Sequence, residues 1–376
     1  MNYLIAIDSF KGSLTSHELN QSVASGIKTI DPTAKTLTIA VADGGEGTAA
    51  AFYQNGLGQL KSIPAKNLYL SEITADFVLL NQDTIVLEVA ETAGIQFLSD
   101  EKPEAAATSY GVGVMLKNLV TDYPQVKKFI IGLGGSGIND AGIGMMQALG
   151  VHFKKNNGDE IAAGTEEISA ISSIDDTYLM PEIKEKEFLL LSDVKNPLTG
   201  PTGATMIFGK QKGISDLEGL DRSLAHYGEK LKEKFSVDYT TLPSTGAAGG
   251  IGISFFYFLN ARFVSGAEYI TELLGLDEKI SEVDLVVTGE GKMDRQSAFG
   301  KLPTVIASLA KKHGKKVIAV VGDGSQVTAE NYAAGIDLVL SLPRGPLSLE
   351  ESMKNTNLLS EELGKDIGRM VQVFTR

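Results

Sequence analysis

The sequence contains no cysteine and no tryptophan, and it has only four histidines, at His17, His152, His226 and His313. The absence of cysteine excludes disulfides, zinc sites built from thiolates and a cysteine nucleophile. No two histidines have the i, i+4 spacing with which a helix binds zinc. We therefore interpret each histidine as a surface or packing residue, and the chemistry must rest on other side chains.

Long apolar runs and an excess of positive charge are missing as well. No run approaches the roughly 18 apolar residues that span a membrane, and the short apolar run before Asp8 predicts a strand rather than a signal peptide. The formal net charge of −13 argues against nucleic acid, because its phosphates would be repelled by the average surface. We expect a cytoplasmic protein with no membrane or nucleic-acid partner, and no segment indicates an oligomeric state.

The chain does contain a series of short apolar runs that end at an acid or a glycine. These runs span residues 3–7, 37–41, 129–131, 188–191, 285–288 and 317–321. Continuous runs of Val, Ile and Leu are typical of strands buried on both faces of a parallel sheet. Ligands bind at the carboxyl ends of the strands in such sheets. Acids and glycines at these ends therefore predict a site for a metal-bound phosphate.

The order of the elements predicts two α/β domains, as the length of 376 residues also suggests. Thr15 and Glu18 have the spacing of a capping box, which predicts a helix from Ser16. Residues 74–80 and 84–89 flank a turn as in a hairpin. Strands and helices alternate plainly near both ends of the chain but not between them. We therefore predict a doubly wound domain from residues 1–65 and 284–376, with residues 66–283 inserted as a second domain.

Two glycine patterns suggest other functions. Gly132–Gly137 matches G-x-G-x-x-G, which indicates a dinucleotide site and an NAD-dependent oxidoreductase of a small hydroxy acid. The acid that would bind the ribose, Asp159 or Glu160, follows a turn sequence instead of ending a strand, so we keep this function as the alternative. The second pattern, around Gly300, continues with Leu302 where a P-loop needs Ser or Thr, which excludes a P-loop.

The densest group of charges and glycines lies in residues 288–303, after a predicted strand. Gly289 and Gly291 would leave backbone N–H groups free to face an anion. Asp294 is suited to hold magnesium or to accept a proton. The basic residues that would neutralise a phosphate or a carboxylate are Lys292, Arg295 and Lys301. This segment therefore predicts a phosphate-handling loop.

Seven segments, in order along the chain, closely resemble those of the bacterial glycerate kinase family of the first type. They are DSFKGSL (8–14), VADGGEGT (41–48), GGSGIND (134–140), DVKNPL (193–198), IFGKQKG (207–213), GAAGGIG (246–252) and residues 288–303. The resemblance implies phosphorylation of D-glycerate by ATP with Mg2+, usually on the 2-hydroxyl, with 3-phosphorylation as the alternative. It also implies a Rossmann-like domain formed by both chain ends, an inserted second α/β domain and an active site in the cleft between them.

Phosphoryl transfer rests mainly on positioning and charge neutralisation, so we expect three groups of site residues. The expected catalytic residues are Asp294 (the favoured base), Asp193 and Lys11, and the expected metal ligands are Asp43 and Asp193. The expected substrate- and phosphate-binding residues are Asp8, Ser9, Gly44, Gly45, Glu46, Gly134, Gly135, Ser136, Asn139, Asp140, Gly289, Glu290, Gly291, Lys292, Arg295 and Lys301. Gly134, Gly135 and Ser136 would cradle an anion beside the N-terminus of a helix.

Overall fold

The computed structural model describes residues 1–375. Its strands are β1 (Asn2–Ile7), β2 (Lys35–Thr38), β3 (Gln59–Lys66), β4 (Glu72–Leu79), β5 (Thr84–Glu88), β6 (Lys128–Gly132), β7 (His152–Lys154), β8 (Ser173–Asp175), β9 (Glu187–Leu191), β10 (Arg262–Val264), β11 (Leu285–Lys292), β12 (Lys316–Asp323) and β13 (Leu338–Ser341). Its α-helices are α1 (Ser16–Ile30), α2 (Thr48–Gln54), α3 (Ala90–Ala93), α4 (Tyr110–Asp122), α5 (Ile143–Ala148), α6 (Pro181–Lys184), α7 (Ala204–Phe208), α8 (Leu217–Phe235), α9 (Ile251–Leu259), α10 (Gly266–Leu273), α11 (Leu276–Ser281), α12 (Leu302–Lys312), α13 (Ala329–Ala333), α14 (Leu349–Lys354) and α15 (Thr356–Thr375). Within the described residues, none of these helices is long and apolar enough to cross a membrane.

The chain forms two compact units. Unit 1 comprises Met1–Asp43, Ala50–Leu57 and the chain from Gly266 onwards. Unit 2 comprises Gly44–Ala49 and Gly58–Ser265. Unit 1 therefore takes its strands from both ends of the sequence, and unit 2 takes its strands from the middle. The domain boundaries expected from the sequence, after residues 65 and 283, stay predictions.

Unit 1 is built on a parallel sheet of five strands in the order β13–β12–β11–β1–β2. β1 pairs with β11 on one side and with β2 on the other. The chain leaves β1 toward β2 and later returns through β11 on the opposite side, so the strand order reverses between β1 and β11. This reversal is the switch point at which ligands bind in open parallel sheets.

Helices cover the sheet of unit 1. One face carries Tyr3, Ile5 and Ile7, which share a core with Leu19 of α1 and Leu363 of α15. The alternation of these positions along β1 follows from the two-residue period of a strand, which sends every second side chain to the same face. α12 packs against β11 and β12. Burial of these apolar residues holds the strand ends in fixed positions.

Unit 2 has a mixed sheet of six strands in the order β10–β9–β6–β5–β4–β3. β5, β6, β9 and β10 run parallel, whereas β3, β4 and β5 pair in antiparallel fashion. Phe129 of β6 and Phe188 of β9 are buried and stack with ring centroids 5.4 Å apart, which adds aromatic packing to the strand pairing. β7 and β8 form a separate antiparallel pair.

The predicted fold class is confirmed: the protein is α/β, with a Rossmann-like parallel sheet formed by both chain ends and a second α/β unit between them. The predicted start of α1 is also confirmed. Glu18 N donates to Thr15 Oγ1 at 3.3 Å, and Thr15 N donates to Glu18 Oε2 at 2.9 Å. The predicted hairpin corresponds to β4 and β5, which pair in antiparallel fashion.

Two element boundaries differ from the sequence prediction. β11 was expected to end at Thr288, but its pairing with β12 continues to Lys292. Glycine makes this close pairing possible, because a Cβ at Gly289 would lie 1.8 Å from the carbonyl oxygen of Val320. The apolar pattern of residues 349–373 predicts one last helix, whereas the structure divides this stretch into α14 and α15. Ser13 Oγ donates to the carbonyl oxygen of Met353 at 2.9 Å and so binds the last turn of α14.

Candidate active site

A cavity of about 750 Å³ lies in unit 1 at the carboxyl ends of β1, β11, β12 and β13. It opens where the strand order reverses, which is where the sheet topology places a ligand. The charged residues of its lining are Asp8, Lys11, Asp43, Glu290, Lys292, Lys301 and Asp323. Six of these seven were expected as site residues from the sequence; Asp323 was not. The strand ends of unit 1 therefore bring together most of the charges that the sequence predicted for this part of the site.

Asp8 follows β1 and is almost fully buried. Ser9 N donates to Asp8 Oδ1 at 2.7 Å. Burial raises the pKa of Asp8 well above its ordinary value, and the negative charges of Asp43 and Glu290 act in the same direction, while Lys11 opposes them. The carboxyl groups of the cavity thus repel one another, and a bound cation would relieve that repulsion.

Glu290 lies in β11, and its side chain points to the same cavity. Its Oε1 atom is buried without a hydrogen-bond partner among the described residues, and its Oε2 atom lies 3.9 Å from Lys301 Nζ. Burial raises the pKa of Glu290; a hydrogen bond from Ser297 and the charge of Lys301 oppose this shift, and the charges of Asp294 and Asp43 add to it. A buried oxygen without a partner is costly, so this atom is suited to accept a bond from a ligand or to bind a cation.

The basic residues of this region are only loosely paired. Lys292 Nζ lies 3.8 Å from Asp323 Oδ2, and Lys11 is exposed at the lining of the cavity. Arg295 lies outside the lining and contacts Glu330, with Nε 3.2 Å from Oε1. Because exposed ion pairs of this kind contribute little to stability, these cations can turn to an anionic ligand at small cost.

Asp294 begins a short 3-10 helix, Arg295–Ala298, and caps it. Its Oδ1 atom accepts hydrogen bonds from Gln296 N at 2.8 Å and from Ser297 N at 3.2 Å. The side chain of Asp294 therefore stabilises the start of this helix, whether or not it also takes part in the reaction. Like Arg295, it lies outside the lining of the unit 1 cavity.

The two glycines of β11 have different positions. Gly291 lines the cavity, as the sequence predicted for a residue that faces an anion. Gly289 lies inside the sheet, where it is paired with Ile7 on one side and Val320 on the other. The expectation that Gly289 starts a loop and offers a free N–H group is therefore wrong, because the strand continues past it.

In unit 2, Glu88 ends β5 next to Gly132 of β6. Gly47 N donates to Glu88 Oε2 at 3.0 Å, and Ala49 N donates to Glu88 Oε1 at 2.8 Å. Burial raises the pKa of Glu88 to about 7, although these hydrogen bonds oppose the shift. Glu88 therefore holds the glycine-rich segment 44–49, which contains the predicted site residues Gly44, Gly45 and Glu46.

The predicted anion cradle, Gly134, Gly135 and Ser136, packs against that segment. A Cβ at Gly134 would lie 2.4 Å from the Cα atom of Gly45, and Gly135 has a φ of +71°. These glycines are thus needed for close backbone packing. The helix that follows them along the chain, α5, begins only at Ile143, so these residues do not lie at its N-terminus. The G-x-G-x-x-G match therefore lacks the helix that a dinucleotide site requires.

The same loop continues into two buried polar residues. Asp140 accepts hydrogen bonds at Oδ2 from Thr108 Oγ1 at 2.9 Å and from Ser109 N at 2.7 Å, and at Oδ1 from Gly142 N at 3.2 Å. These internal bonds tie the loop to the start of α4. Asn139 is buried, and neither its Nδ2 nor its Oδ1 atom has a partner among the described residues. Asn139 therefore has hydrogen-bonding capacity available for a ligand.

Lys212 is buried beside this loop. Its Nζ atom donates to Ser136 Oγ at 3.1 Å and to the carbonyl oxygen of Ile138 at 2.8 Å. Burial lowers the pKa of Lys212 to about 7, and the charge of Asp140 opposes the shift. The protonated amino group of Lys212 has three N–H donors and uses two of them here, so one remains for a ligand. Ser136 and Lys212 therefore form a small polar pair that can accept an anion, and Asn139 follows Ile138 in the same loop.

Asp193 follows β9. Its Oδ1 atom accepts a hydrogen bond from Ser265 Oγ at 3.0 Å, and Ser192 N donates to the carbonyl oxygen of Val264 at 3.1 Å. These bonds fix the carboxylate at the end of the parallel part of the sheet. The two expected metal ligands thus belong to different units, Asp43 to unit 1 and Asp193 to unit 2. Within residues 1–375, no group of three or more His, Cys, Asp or Glu side chains is arranged as a metal site.

Three residues at these sites were missed from the sequence. Glu88 and Asp323 both end strands, so the rule that found Asp8 should have found them. Lys212 carries no such signal, because it stands beside exposed Lys210 in the segment 210–212 and only the tertiary structure buries it. Nothing in the local sequence distinguishes the two lysines.

The amino-acid sequence is similar to those of known proteins. The chain matches the model of the "Glycerate kinase family" over residues 3–372. It is 33% identical over 368 residues to a glycerate kinase of Halalkalibacterium halodurans, covering 97% of this chain and 96% of the relative. It is 36% identical over 358 residues to the glycerate 2-kinase of Escherichia coli K12, covering 94% and 93% of the two chains.

A solved structure extends the similarity to the fold. The crystal structure of a protein from Salmonella typhimurium LT2, provisionally named glycerate kinase 2, superposes with a TM-score of 0.83 at 32% identity. The match covers 100% of this chain and 99% of that one. The resemblance found in the sequence is therefore confirmed along the whole chain, and the protein belongs to the glycerate kinase family.

Proposed function

We propose that the protein is a phosphotransferase that moves the γ-phosphoryl group of ATP to the 2-hydroxyl of D-glycerate, giving 2-phosphoglycerate and ADP. The named activity of its relatives supports this function, and the name of the Escherichia coli relative supports the 2-position. The structural observation that carries the proposal is the meeting of carboxylates and lysines in one cavity at the switch point of unit 1. Both signs of charge are needed to bind a phosphate donor together with its cation.

In this reaction, the 2-hydroxyl oxygen forms a bond to the γ-phosphorus while the bond from that phosphorus to the leaving oxygen of ADP breaks. The proton of the hydroxyl group passes to a carboxylate, for which we propose Asp294, with Asp193 as the second choice. Asp294 Oδ1 already accepts two backbone N–H groups. Oδ2 is therefore the atom that would take the proton.

Mg2+ is the proposed cofactor, with Asp43 and Asp193 as the proposed ligands. Two observations in unit 1 support a divalent cation near Asp43: Glu290 Oε1 is buried without a hydrogen-bond partner among the described residues, and burial together with neighbouring acids raises the pKa of Asp8. Bound Mg2+ would neutralise charge on the phosphates. Hard oxygen ligands of this kind are what Mg2+ prefers.

The basic residues would bind and orient the anions. Lys11 and Arg295 are proposed to hold the glycerate carboxylate or to steady the transferred phosphoryl group, and Lys292 and Lys301 to neutralise phosphate charge. In unit 2, Lys212 is proposed to offer a further cation next to Asn139. That residues of both units act on one substrate pair, and that the protein works in the cytoplasm, stay predictions.

The test is turnover of D-glycerate with ATP and Mg2+, coupled to enolase without phosphoglycerate mutase. Enolase accepts only the 2-phosphate, so an immediate signal is expected and would establish both the activity and the position of transfer. A signal that appears only after mutase is added would assign 3-phosphorylation instead. If ADP forms in neither assay, the proposed function is wrong. Saturable NADH binding would then favour the alternative oxidoreductase.

A further inference from the structure

The lining of the unit 1 cavity changes in character along the edge of the sheet. At β1 it is charged, with Asp8 and Lys11. At β13, three strands away, it is apolar, with Leu342 and Pro343. The segment from 347 into α14 and α15 continues the apolar side with Leu347, Leu349, Met353 and Leu359. One cavity therefore offers ionic contacts at one end and an aliphatic wall at the other.

The floor between the two ends is formed by glycine backbone and by the ring of Phe10. Gly291 of β11 and Gly322 of β12 both line the cavity, and a Cβ at Gly322 would lie 2.6 Å from the carbonyl oxygen of Gly291. The ring of Phe10 lies beside them, 3.4 Å from the same Cβ position. Glycine here lets the two strands and the ring of Phe10 approach one another closely. A flat, largely apolar group fits such a floor.

Glycerate does not match the apolar end of this cavity. Every carbon of that small acid carries oxygen, so it has no apolar surface to bury against leucine side chains. A cavity of about 750 Å³ falls in the range of sites that bind ligands of drug size. ATP combines the required parts, because it has a flat base at one end and a chain of phosphates at the other.

We infer that the unit 1 cavity is the donor-nucleotide site, with the adenine base against the aliphatic wall and the phosphates toward Lys11, Lys292 and Lys301. The inference rests on the proposed function and makes it more specific. Acids beside these lysines suit a triphosphate that carries a cation, since the cation takes the carboxylates and the lysines take the phosphate oxygens. The acceptor acid then binds outside this cavity, so of the two roles proposed for Lys11 the inference selects contact with the transferred phosphoryl group.

The experiment measures ADP binding by isothermal titration calorimetry in Mg2+ with the full chain. The variants are Leu349→Asp and Leu347→Asp, whose parent side chains are 77% and 43% exposed, so neither removes core packing. Leu349 begins α14, where an acid is tolerated at the helix N-terminus. The matched control is Leu358→Asp on α15, which is 60% exposed and outside the lining. Thermal melts establish that all three variants fold.

We expect both test variants to weaken ADP binding at least about tenfold, because a charge facing the base must be desolvated. The control should stay within about twofold, and the KM for glycerate should change little in all three; a tenfold effect corresponds to about 1.4 kcal/mol. Inorganic pyrophosphate, which has no base, should bind all variants alike.

Other outcomes separate this inference from the proposed function. If the wild type binds ADP and phosphorylates glycerate while both test variants bind ADP like the control, the cavity is not the nucleotide site. A rise in the KM for glycerate without weaker ADP binding would likewise overturn the inference, since it would assign the cavity to the acid. If the wild type neither binds ADP nor turns over, the proposed function itself fails.

Discussion

Lys212 Nζ donates a hydrogen bond to the carbonyl oxygen of Ile138 at 2.8 Å, and this contact places a buried ammonium group beside Asn139. No salt bridge to a carboxylate is formed by Lys212 within the described residues. Burial lowers the pKa of Lys212 to about 7 against the opposing charge of Asp140, so keeping this group charged in the folded protein costs free energy. Such an arrangement is typical of functional sites, and it is the reason for the proposed role of Lys212 in binding an anionic ligand.

Replacing this lysine should therefore reduce activity more than stability. Lys212→Met keeps the aliphatic stem and removes the charge, so we expect kcat/KM to fall about 100-fold or more, which is about 2.7 kcal/mol. The free energy of unfolding should change by less than about 2 kcal/mol, because the lost hydrogen bonds are offset by the lost cost of burial. Steady-state kinetics and urea unfolding measure the two effects.

Lys210→Met is the matched control, since Lys210 lies in the same short helix but is exposed. Its kcat/KM should stay within about twofold of the wild type. Activity of Lys212→Met within about threefold of wild type would show that the buried charge does not act on a ligand.

Glu88 should make stability depend on pH. Its pKa is about 7 in the folded protein against an ordinary value of 4.5, so between these values the folded protein keeps a proton that the unfolded chain has released. The contribution of Glu88 to the free energy of unfolding is therefore greatest below pH 4.5. It falls by about 3 kcal/mol in all as the pH rises through 7. Glu88→Gln cannot ionise, so its unfolding free energy should lack this decline.

The measurement is urea unfolding of the wild type and of Glu88→Gln at several pH values from 4.5 to 8. Glutamine turns an N–H donor toward one of the two backbone N–H groups, which lowers stability by a constant amount at every pH. Only the pH dependence of the unfolding free energy tests the raised pKa of Glu88. The control is Glu101→Gln at an exposed position, whose unfolding free energy should depend on pH as that of the wild type does. Parallel curves for wild type and Glu88→Gln would contradict a raised pKa.

The sequence identified the strand-end acids of unit 1 because their signal is local. An apolar run followed by an acid, as at Asp8, is visible without the fold, and the parallel sheet then brings such ends to one edge. Glu88 has the same signal but was hidden in a predicted hairpin. In the structure, β5 pairs with β4 in antiparallel fashion and with β6 in parallel fashion. Its last residue, Glu88, therefore lies at the carboxyl edge of the parallel strands.

Features that depend on packing between distant segments could not be predicted in this way. The glycine-rich segments predict open loops, but Gly289 lies within a paired strand and Gly134 lies against another backbone segment. Both positions lack side chains because a second chain segment occupies the space. The burial of Lys212 has the same origin, since it depends on contacts with residues more than 70 positions away in the sequence.

Asp140 should matter for stability rather than for contact with a ligand. Its carboxylate accepts hydrogen bonds from Thr108, Ser109, Gly142 and Gly144. In Asp140→Asn, the amide N–H groups would face several of these donors, so we expect a loss of about 3 kcal/mol in the free energy of unfolding. Asp100→Asn, at an exposed position, is the control and should lose less than about 0.5 kcal/mol. A loss below about 1 kcal/mol for Asp140→Asn would show that this network is not structural.

Asp294→Asn separates the capping role of Asp294 from its proposed role as the base. Asparagine is about as good an N-cap as aspartate, and its Oδ1 can still accept from Gln296 N and Ser297 N. We therefore expect the melting temperature to change little. The variant cannot take up a proton at Oδ2, so kcat should fall at least about 100-fold.

ADP affinity, measured by calorimetry, should stay close to that of the wild type, because Asp294 lies outside the lining of the unit 1 cavity. Asp294→Ala removes both the cap and the charge, and should in addition lower stability by about 1 kcal/mol. The comparison of the two variants assigns each effect to its cause. If Asp294→Asn keeps its kcat within about threefold of the wild type, Asp294 is only a cap, and Asp193 becomes the proposed base.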